Sequence, residues 1–549
     1  MNDRVWPILL PSIYSDSSVL EFFLACTNLL SVGWSKHKTD YLKANVVSKY
    51  LIRLVSLLLP ALTLFCAAQP VRSADLNLPD IGTQANVTIS LEDEYRLGSM
   101  VMRGLRDQGQ ILDDPEINEY LQSIGSRLVG LAQTPGQKFQ FFLVKDSEIN
   151  AFALPGGFVG VNAGLLLATR SESELAGVLA HEISHVTQRH IARSIAAQSR
   201  NSIVSTAAML AAILIGAAGG GDAAIAGLAA AQSVALNNQM SFSRANETEA
   251  DNVGIGLMTR AGYDPNGMWQ FFEVLQRQNG TVNEADIPAI LRSHPVTVER
   301  IAETRSRATS SGMHSVADST SYGLMRERMR VLLTPAGESS LQYYPAKVQD
   351  EIHMDIARLY GKALADMSSN NAADAVRILT ALQTHNATVM QFHSALGQAQ
   401  MANNDDKAAT ATLAHARDLF PRNVPITVRY AEVLMRAGNP KLAHQVLLDL
   451  FNNVAPTPDQ AKLIAVAANA AGEVAEAYYY MAEYQLMSGD LSLAMSQLQM
   501  ALAVPNVTPI QRSRFEARLE EIQRAMPRKG RGSLSEVQTG SGGPARLLQ

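Results

Sequence analysis

The stretch VLAHEISHVTQRH, residues 178–190, sets two imidazoles four positions apart with a carboxylate directly after the first. On a helix, H-E-x-x-H is the pattern by which two histidines hold one zinc ion while the glutamate serves as general base. Ser171 and Glu174, just upstream, form a capping-box pattern that starts a helix and carries it through the motif. His181 and His185 then lie about 40° apart around the axis and one turn apart along it, so that their nitrogens can share an ion at ~2.0–2.1 Å. Glu182 falls about 100° round, beside the ion, where a base must sit to take a proton from water. Leu175, Leu179, Ile183 and Val186 form the core-facing side of the same helix. On this wheel His190 projects about 180° from His181 and is a poor ligand. Gln188 and Ile191 stand where a metzincin would have its glycine and third histidine.

A catalytic zinc needs a third protein ligand and one open position. The best source is SFSRANETEADNVGIGLMTRAGYDP, residues 241–265, a helix stopped by Gly262 with Pro265 just beyond. Ala250, Val253, Ile255, Leu257 and Met258 define one broad apolar arc. Glu247 and Asp251, at i and i+4, fall within that arc, and Glu249 points to the other side. Two carboxylates on a core-facing stripe are costly unless a positive charge meets them. Glu247 is therefore assigned as third ligand and Asp251 as a carboxylate hydrogen-bonded to a ligand histidine or the reacting groups, with Glu249 solvated.

His294, in LRSHPVTVER, is followed by the stiffening Pro295. It is read as a donor to substrate, as a removable fourth ligand, or as a plain loop histidine. KFQFFLVK (138–145) alternates like a strand, and NAFALPGGFVGV (150–161) reads as strand, Pro-Gly-Gly turn and strand. An exposed edge at Asn150, Ala151, Phe152 and Ala153 would take an unfolded peptide through backbone hydrogen bonds; a purely structural hairpin is the alternative.

The surrounding chain must position these groups. It has 549 residues, 47% of them apolar, and a net charge of −5, which supplies ample core and no basic surplus for nucleic acid. Its two cysteines, Cys26 and Cys66, both lie near the start, and the long thiol-free remainder suits an oxidising compartment. Lys43, Lys49 and Arg53 precede the apolar run LVSLLLPALTLFCAA (54–68), with candidate cuts after Ala68, Ser73 or Ala74. That is a signal peptide, with an uncleaved anchor as the alternative, and translation is expected to begin near 42–47. The Ala/Gly-rich segment 203–237 is expected to form a helical hairpin near the site, in peripheral contact with a membrane or client; a membrane-inserted hairpin is the alternative. From about 350 the chain is Ala-rich and helical. Ala375, Ala409 and Ala443 recur every 34 residues after polar turns, a spacing similar to that of tetratricopeptide repeats. A further small residue, Ala494, falls one and a half periods on, which suggests an intervening lone helix or partial repeat.

HEISH followed by NETEAD (246–251) resembles the peptidase family typified by the prenyl-protein (CaaX-processing) endopeptidases and the heat-shock membrane peptidases. The resemblance covers about residues 75–526. It implies one Zn2+ per chain held by His181, His185 and Glu247, with Glu182 as catalytic base and Asp251 as a further active-site acid. The implied fold is α+β and mainly helical: a gluzincin-type metallopeptidase domain with a small sheet, followed by an α-solenoid of tetratricopeptide repeats. The expected division is N-terminal extension and signal (1–74), metallopeptidase (75–340), repeats (350–526) and a disordered tail (527–549). With a signal ahead and repeats behind, the resemblance implies a periplasmic endopeptidase and chaperone in outer-membrane protein quality control. Its expected partners are unfolded or misassembled outer-membrane proteins and, through the repeats, the β-barrel assembly machinery. The alternatives are a repeat-based adaptor with a vestigial peptidase and an integral-membrane peptidase.

Overall fold

The computed structural model describes residues 89–132, 134, 136–197, 243–279, 288–312, 316–345 and 354–525. The expectations for the signal and start site, for segment 203–237 and for the tail lie outside them. Helix α1 (Leu91–Asp107) starts at Ser90, whose hydroxyl accepts from Asp93 N–H. Helix α2 (Pro115–Val129) starts at Asp114, with proline in the first turn where its missing N–H costs nothing. Strands β1 (Gln140–Val144), β2 (Ala151–Leu154) and β3 (Phe158–Asn162) make one sheet in the order β1-β3-β2. β3 is central, parallel to β1 and antiparallel to β2. The β2–β3 hairpin turns through Gly156 and Gly157, with φ of 80° and 86°. A Cβ on Gly156 would lie 2.4 Å from the Tyr95 main chain, so only glycine fits there.

Helix α3 (Ala163–Ala168) leads into α4 (Glu172–Thr187), which carries HEISH. Ser171 caps α4 by accepting from Glu174 N–H at 3.1 Å. The second half of the expected capping box goes one residue further. Glu174 accepts from Arg170 N–H at 2.7 Å because the Arg170 guanidinium draws the carboxylate toward it. Leu175, Leu179 and Ile183 are fully buried. After α4, Arg189 adopts φ of 52°, and α5 (His190–Ala197) leaves in a new direction. Helix α6 (Arg244–Ala261) is capped by Ser243 and ended by left-handed Gly262. α6 and α7 (Asn266–Asn279) both pack on α4. The approach is close at Gly254 of α6, where a Cβ would meet Met268 at 2.8 Å and the Ala180 main chain at 3.3 Å. Helices α8 (Ala289–Ser293), α9 (Val298–Ser310) and α10 (Thr320–Leu332) complete this part.

The remainder is a helical solenoid in which each helix packs on the next. Its first helices are α11 (Ile356–Ser368), α12 (Ala372–His385), α13 (Met390–Ala402), α14 (Asp406–Leu419), α15 (Val424–Arg436) and α16 (Pro440–Phe451). They are followed by α17 (Pro458–Ala470), α18 (Val474–Met487), α19 (Leu491–Ala503) and α20 (Pro509–Ala525). Ala375, Ala409 and Ala443 are fully buried on α12, α14 and α16. Gly397 lets α13 approach α14, since a Cβ there would lie 2.6 Å from Leu413. Neither the expected lone helix nor a partial repeat is found among the described residues. Helix starts at 356, 390, 424, 458 and 491 mark five consecutive pairs, and the left-handed residues Asn370, Asn404, Gly438 and Gly472 keep the same spacing. Ala494 lies on α19, the first helix of its pair, whereas the other three alanines lie on second helices. Counting across that switch of helix type produced the apparent half-period.

The solenoid shares a core with the first part of the chain: Leu121, Leu179, Phe271, Met325, Tyr360 and Phe392 belong to one cluster. Buried Glu116 of α2 adds a polar anchor. It accepts from Arg328 of α10 at 3.0 Å, Ser394 of α13 at 2.6 Å and Arg429 of α15 at 3.0 Å. Among the described residues no helix is long and apolar enough to cross a membrane.

Candidate metal centre

α4 presents His181, Glu182 and His185 on its buried length, and α6 presents Glu247 and Asp251. His294 caps the C-terminus of α8. Donor atoms of His181, His185, Glu247 and His294 all lie within 4.8 Å of one another. His181 Nε2 lies 3.0 Å from His185 Nε2 and 3.5 Å from Glu247 Oε2. His185 Nε2 lies 3.4 Å from Glu247 Oε1. A tetrahedral ion with bonds of ~2.0–2.1 Å separates its ligand atoms by about 3.4 Å, so these three donors have the required spacing. His294 Nδ1 lies 2.9 Å from Glu247 Oε1 and 3.3 Å from His181 Nε2, and its ring is buried, which excludes the loop-histidine alternative.

The outer nitrogens are occupied, as metal-ligating histidines require. His181 Nδ1 lies 2.9 Å from Asp251 Oδ1, and Arg300 of α9 grips Asp251 through Nε at 2.6 Å and Nη2 at 2.8 Å. His181 thus turns Nε2 toward His185, and two ring nitrogens 3.0 Å apart need a cation or a proton between them. Burial lowers the His181 pKa, but Asp251 and Glu247 outweigh it and push it up to about 9. Burial also works against ionised Glu247, yet His294, His181 and His185 hold it well below the usual carboxylate range. Burial keeps His185 well below the ordinary histidine value. The donor set therefore fits a divalent ion.

Glu182 differs from the other carboxylates. It is buried, and among the described residues neither of its oxygens has a hydrogen bond of good geometry. His294 Nε2 stands 3.6 Å from Oε1. Burial raises the Glu182 pKa, with His294, His181 and the Ala153 main chain pulling the other way. A raised, unsaturated carboxylate beside a cation site can accept and return a proton. The Ala153 contact also places β2 beside Glu182. Among the described residues β2 pairs with β3 on one side only, and Phe152 and Ala153 are half-buried. Asn150 and Ala151 lie at the start of the same edge, and Asn150 Oδ1 is buried without a hydrogen-bond partner among the described residues.

Two parts of the site escape the sequence reading. Arg300 contacts Glu247 Oε2 at 2.6 Å as well as Asp251, and stacks over Phe272. Its signal was its place six residues after His294, behind the helix cap Thr297. The second correction concerns His190 and Glu249. His190 Nδ1 lies 2.8 Å from His185 Nδ1, and its Nε2 lies 3.1 Å from Glu249 Oε2. The helical wheel fails for His190 because α4 ends at Thr187. Glu249 is paired with His190 and Arg193, where a solvated acid was expected.

This fold and site define a metallopeptidase of the H-E-x-x-H class, and residues 115–308 match the model of peptidase family M48. The chain is 31% identical over 450 residues to the beta-barrel assembly-enhancing protease of Yersinia pestis, covering 81% of this chain and 92% of that one. It is 30% identical over 477 residues to the protein of the same name from Escherichia coli O157:H7, covering 86% and 97%. The mitochondrial metalloendopeptidase OMA1 of Schizosaccharomyces pombe is 31% identical over 193 residues, 33% of this chain and 50% of that one. The chain belongs to the beta-barrel assembly-enhancing protease family, within peptidase family M48.

Proposed function

We propose that the chain is a periplasmic zinc endopeptidase that also acts as a chaperone in outer-membrane protein quality control. The observation that carries this reading is the convergence of His181, His185, Glu247 and His294 beside the buried carboxylate of Glu182, neither oxygen of which has a hydrogen bond of good geometry among the described residues. His181, His185 and Glu247 would hold one zinc ion, which supplies Lewis-acid polarisation of a peptide carbonyl and acidifies water. Glu182 takes the proton from the attacking water and returns it to the leaving amide nitrogen. Asp251, held by Arg300, keeps His181 in the orientation that turns Nε2 inward. His294 would serve as a removable fourth ligand, or would donate to bound substrate. An extended client would add to the free edge of β2 at Asn150–Ala153, beside Glu182, through backbone hydrogen bonds with little sequence selectivity.

The compartment and partners rest on the relatives' names, the early position of both cysteines and the signal-like run at 54–68. In this reading residues 75–340 are the peptidase, and the repeats over 350–526 dock it on misassembled outer-membrane proteins or on the β-barrel assembly machinery. Wild type and Glu182→Gln are compared for zinc content and casein cleavage. Glu182→Gln should keep its zinc and lose roughly 10²- to 10⁴-fold in cleavage. Equal cleavage by the two proteins refutes the enzymatic reading.

A further inference from the structure

The two ligand histidines are oriented by different devices. A neutral imidazole has one N–H and one bare nitrogen, so a histidine that offers Nε2 to an ion must carry its proton on Nδ1. For His181 that proton goes to Asp251. His185 Nδ1 instead faces another ring nitrogen, His190 Nδ1, at 2.8 Å. One proton serves such a pair. If His185 donates, His190 Nδ1 must be bare, and His190 must carry its own proton on Nε2. That nitrogen lies 3.1 Å from Glu249 Oε2, and a carboxylate can only accept. Glu249 therefore selects the tautomer of His190, which selects the tautomer of His185.

Local structure holds the relay in place. Left-handed Arg189 turns the chain at the end of α4 and folds the His190 ring back against His185. The Arg189 guanidinium fixes that corner by donating to Glu94 and, at 2.7 Å, to the Ile89 carbonyl. Arg193 lies 3.1 Å from Glu249 Oε2 and steadies the carboxylate. His190 has no exposed surface, so solvent cannot take its place as acceptor.

We propose that His190 and Glu249 are positioning residues, a two-step hydrogen-bond relay that locks His185 in the tautomer whose Nε2 faces the metal centre. The proposal rests on the assignment of His185 as a ligand, so the test separates the two. Zinc affinity of the full chain is measured by chelator competition, and metal geometry by the d–d absorption of cobalt(II)-substituted protein. Wild type is compared with His185→Ala, His190→Ala, His190→Asn, Glu249→Leu and Glu249→Gln. Losing the partner of a ligand histidine typically weakens metal binding 10- to 100-fold, which is the loss expected for His190→Ala and Glu249→Leu, with altered cobalt bands. His190→Asn and Glu249→Gln keep an oxygen acceptor at the required place and should restore affinity to within about threefold of wild type. Wild-type affinity in Glu249→Leu and His190→Ala, with His185→Ala impaired, overturns the relay alone. Unimpaired zinc binding by His185→Ala overturns the ligand assignment, and the relay with it. Comparing Glu249→Leu with Glu249→Gln keeps the test decisive if His190→Ala does not fold.

Discussion

Glu116→Gln is the most informative single change outside the metal centre, because Glu116 ties the first part of the chain to two solenoid helices, α13 and α15. Its side chain has no exposed surface. Five donors reach its two oxygens: Arg328 Nη2 at 3.0 Å, Arg429 Nε at 3.2 Å and Nη2 at 3.0 Å, Ser394 Oγ at 2.6 Å, and Gln398 Nε2 at 3.0 Å. Burial opposes the charge, yet Arg328 and Arg429 hold the carboxyl below its ordinary range. A glutamine keeps the shape but offers one accepting oxygen, and it turns an NH2 group toward donors that no longer have an acceptor. Arg328 retains Asp114, and Arg429 retains Glu432. Losing one partner of a buried ion pair costs about 3–5 kcal/mol, and the retained partners place this variant near the lower figure. Urea unfolding followed by far-UV circular dichroism reads the change in midpoint. Glu92→Gln, which breaks an exposed pair with Arg96, is the control and should cost less than about 0.5 kcal/mol. If Glu116→Gln shifts the midpoint no more than Glu92→Gln does, the network is not the anchor described.

Two further outcomes follow from the geometry. A His294 ring that keeps the site closed by about 1.4 kcal/mol would hold cleavage down about tenfold, so His294→Ala should raise basal casein hydrolysis by up to that factor. Unchanged or lower hydrolysis counts against the plug. Burial and neighbouring Glu116 push the Glu119 carboxyl up to about 7 from its ordinary 4.5, with Asn423 pulling the other way. A raised acid favours the fold fully below pH 4.5, and that contribution is lost as pH rises through 7; it amounts to at most about 3 kcal/mol. The wild-type urea midpoint should therefore fall between pH 5 and pH 8 by more than that of Glu119→Gln, and parallel curves would refute the assignment.

What could be read in advance was whatever a single helix or hairpin determines by itself. The cap at Ser171, the i,i+4 histidines, the Glu247–Asp251 stripe and the Pro-Gly-Gly turn are local patterns, and each stands where local rules put it. The wheel failed at His190 because it was carried past a helix end that neither glycine nor proline marks, only Arg189 in a left-handed conformation. The repeat count failed for a related reason: Ala494 satisfies a spacing rule on a helix of the other type. Arg300 shows the limit most clearly. Two core-facing carboxylates require a positive charge, and a metal with its histidines is not the whole of it. Arg300 meets both carboxylates, lying 2.6 Å from each. Burial cost can announce that a partner exists, but only the packing of α9 on α6 says which group it is. What points to a metal is the spacing of the Nε2 and carboxylate donors, with Arg300 Nη2 only grazing His181 Nε2 at 3.5 Å, and the two Glu182 oxygens, neither of which has a hydrogen bond of good geometry among the described residues.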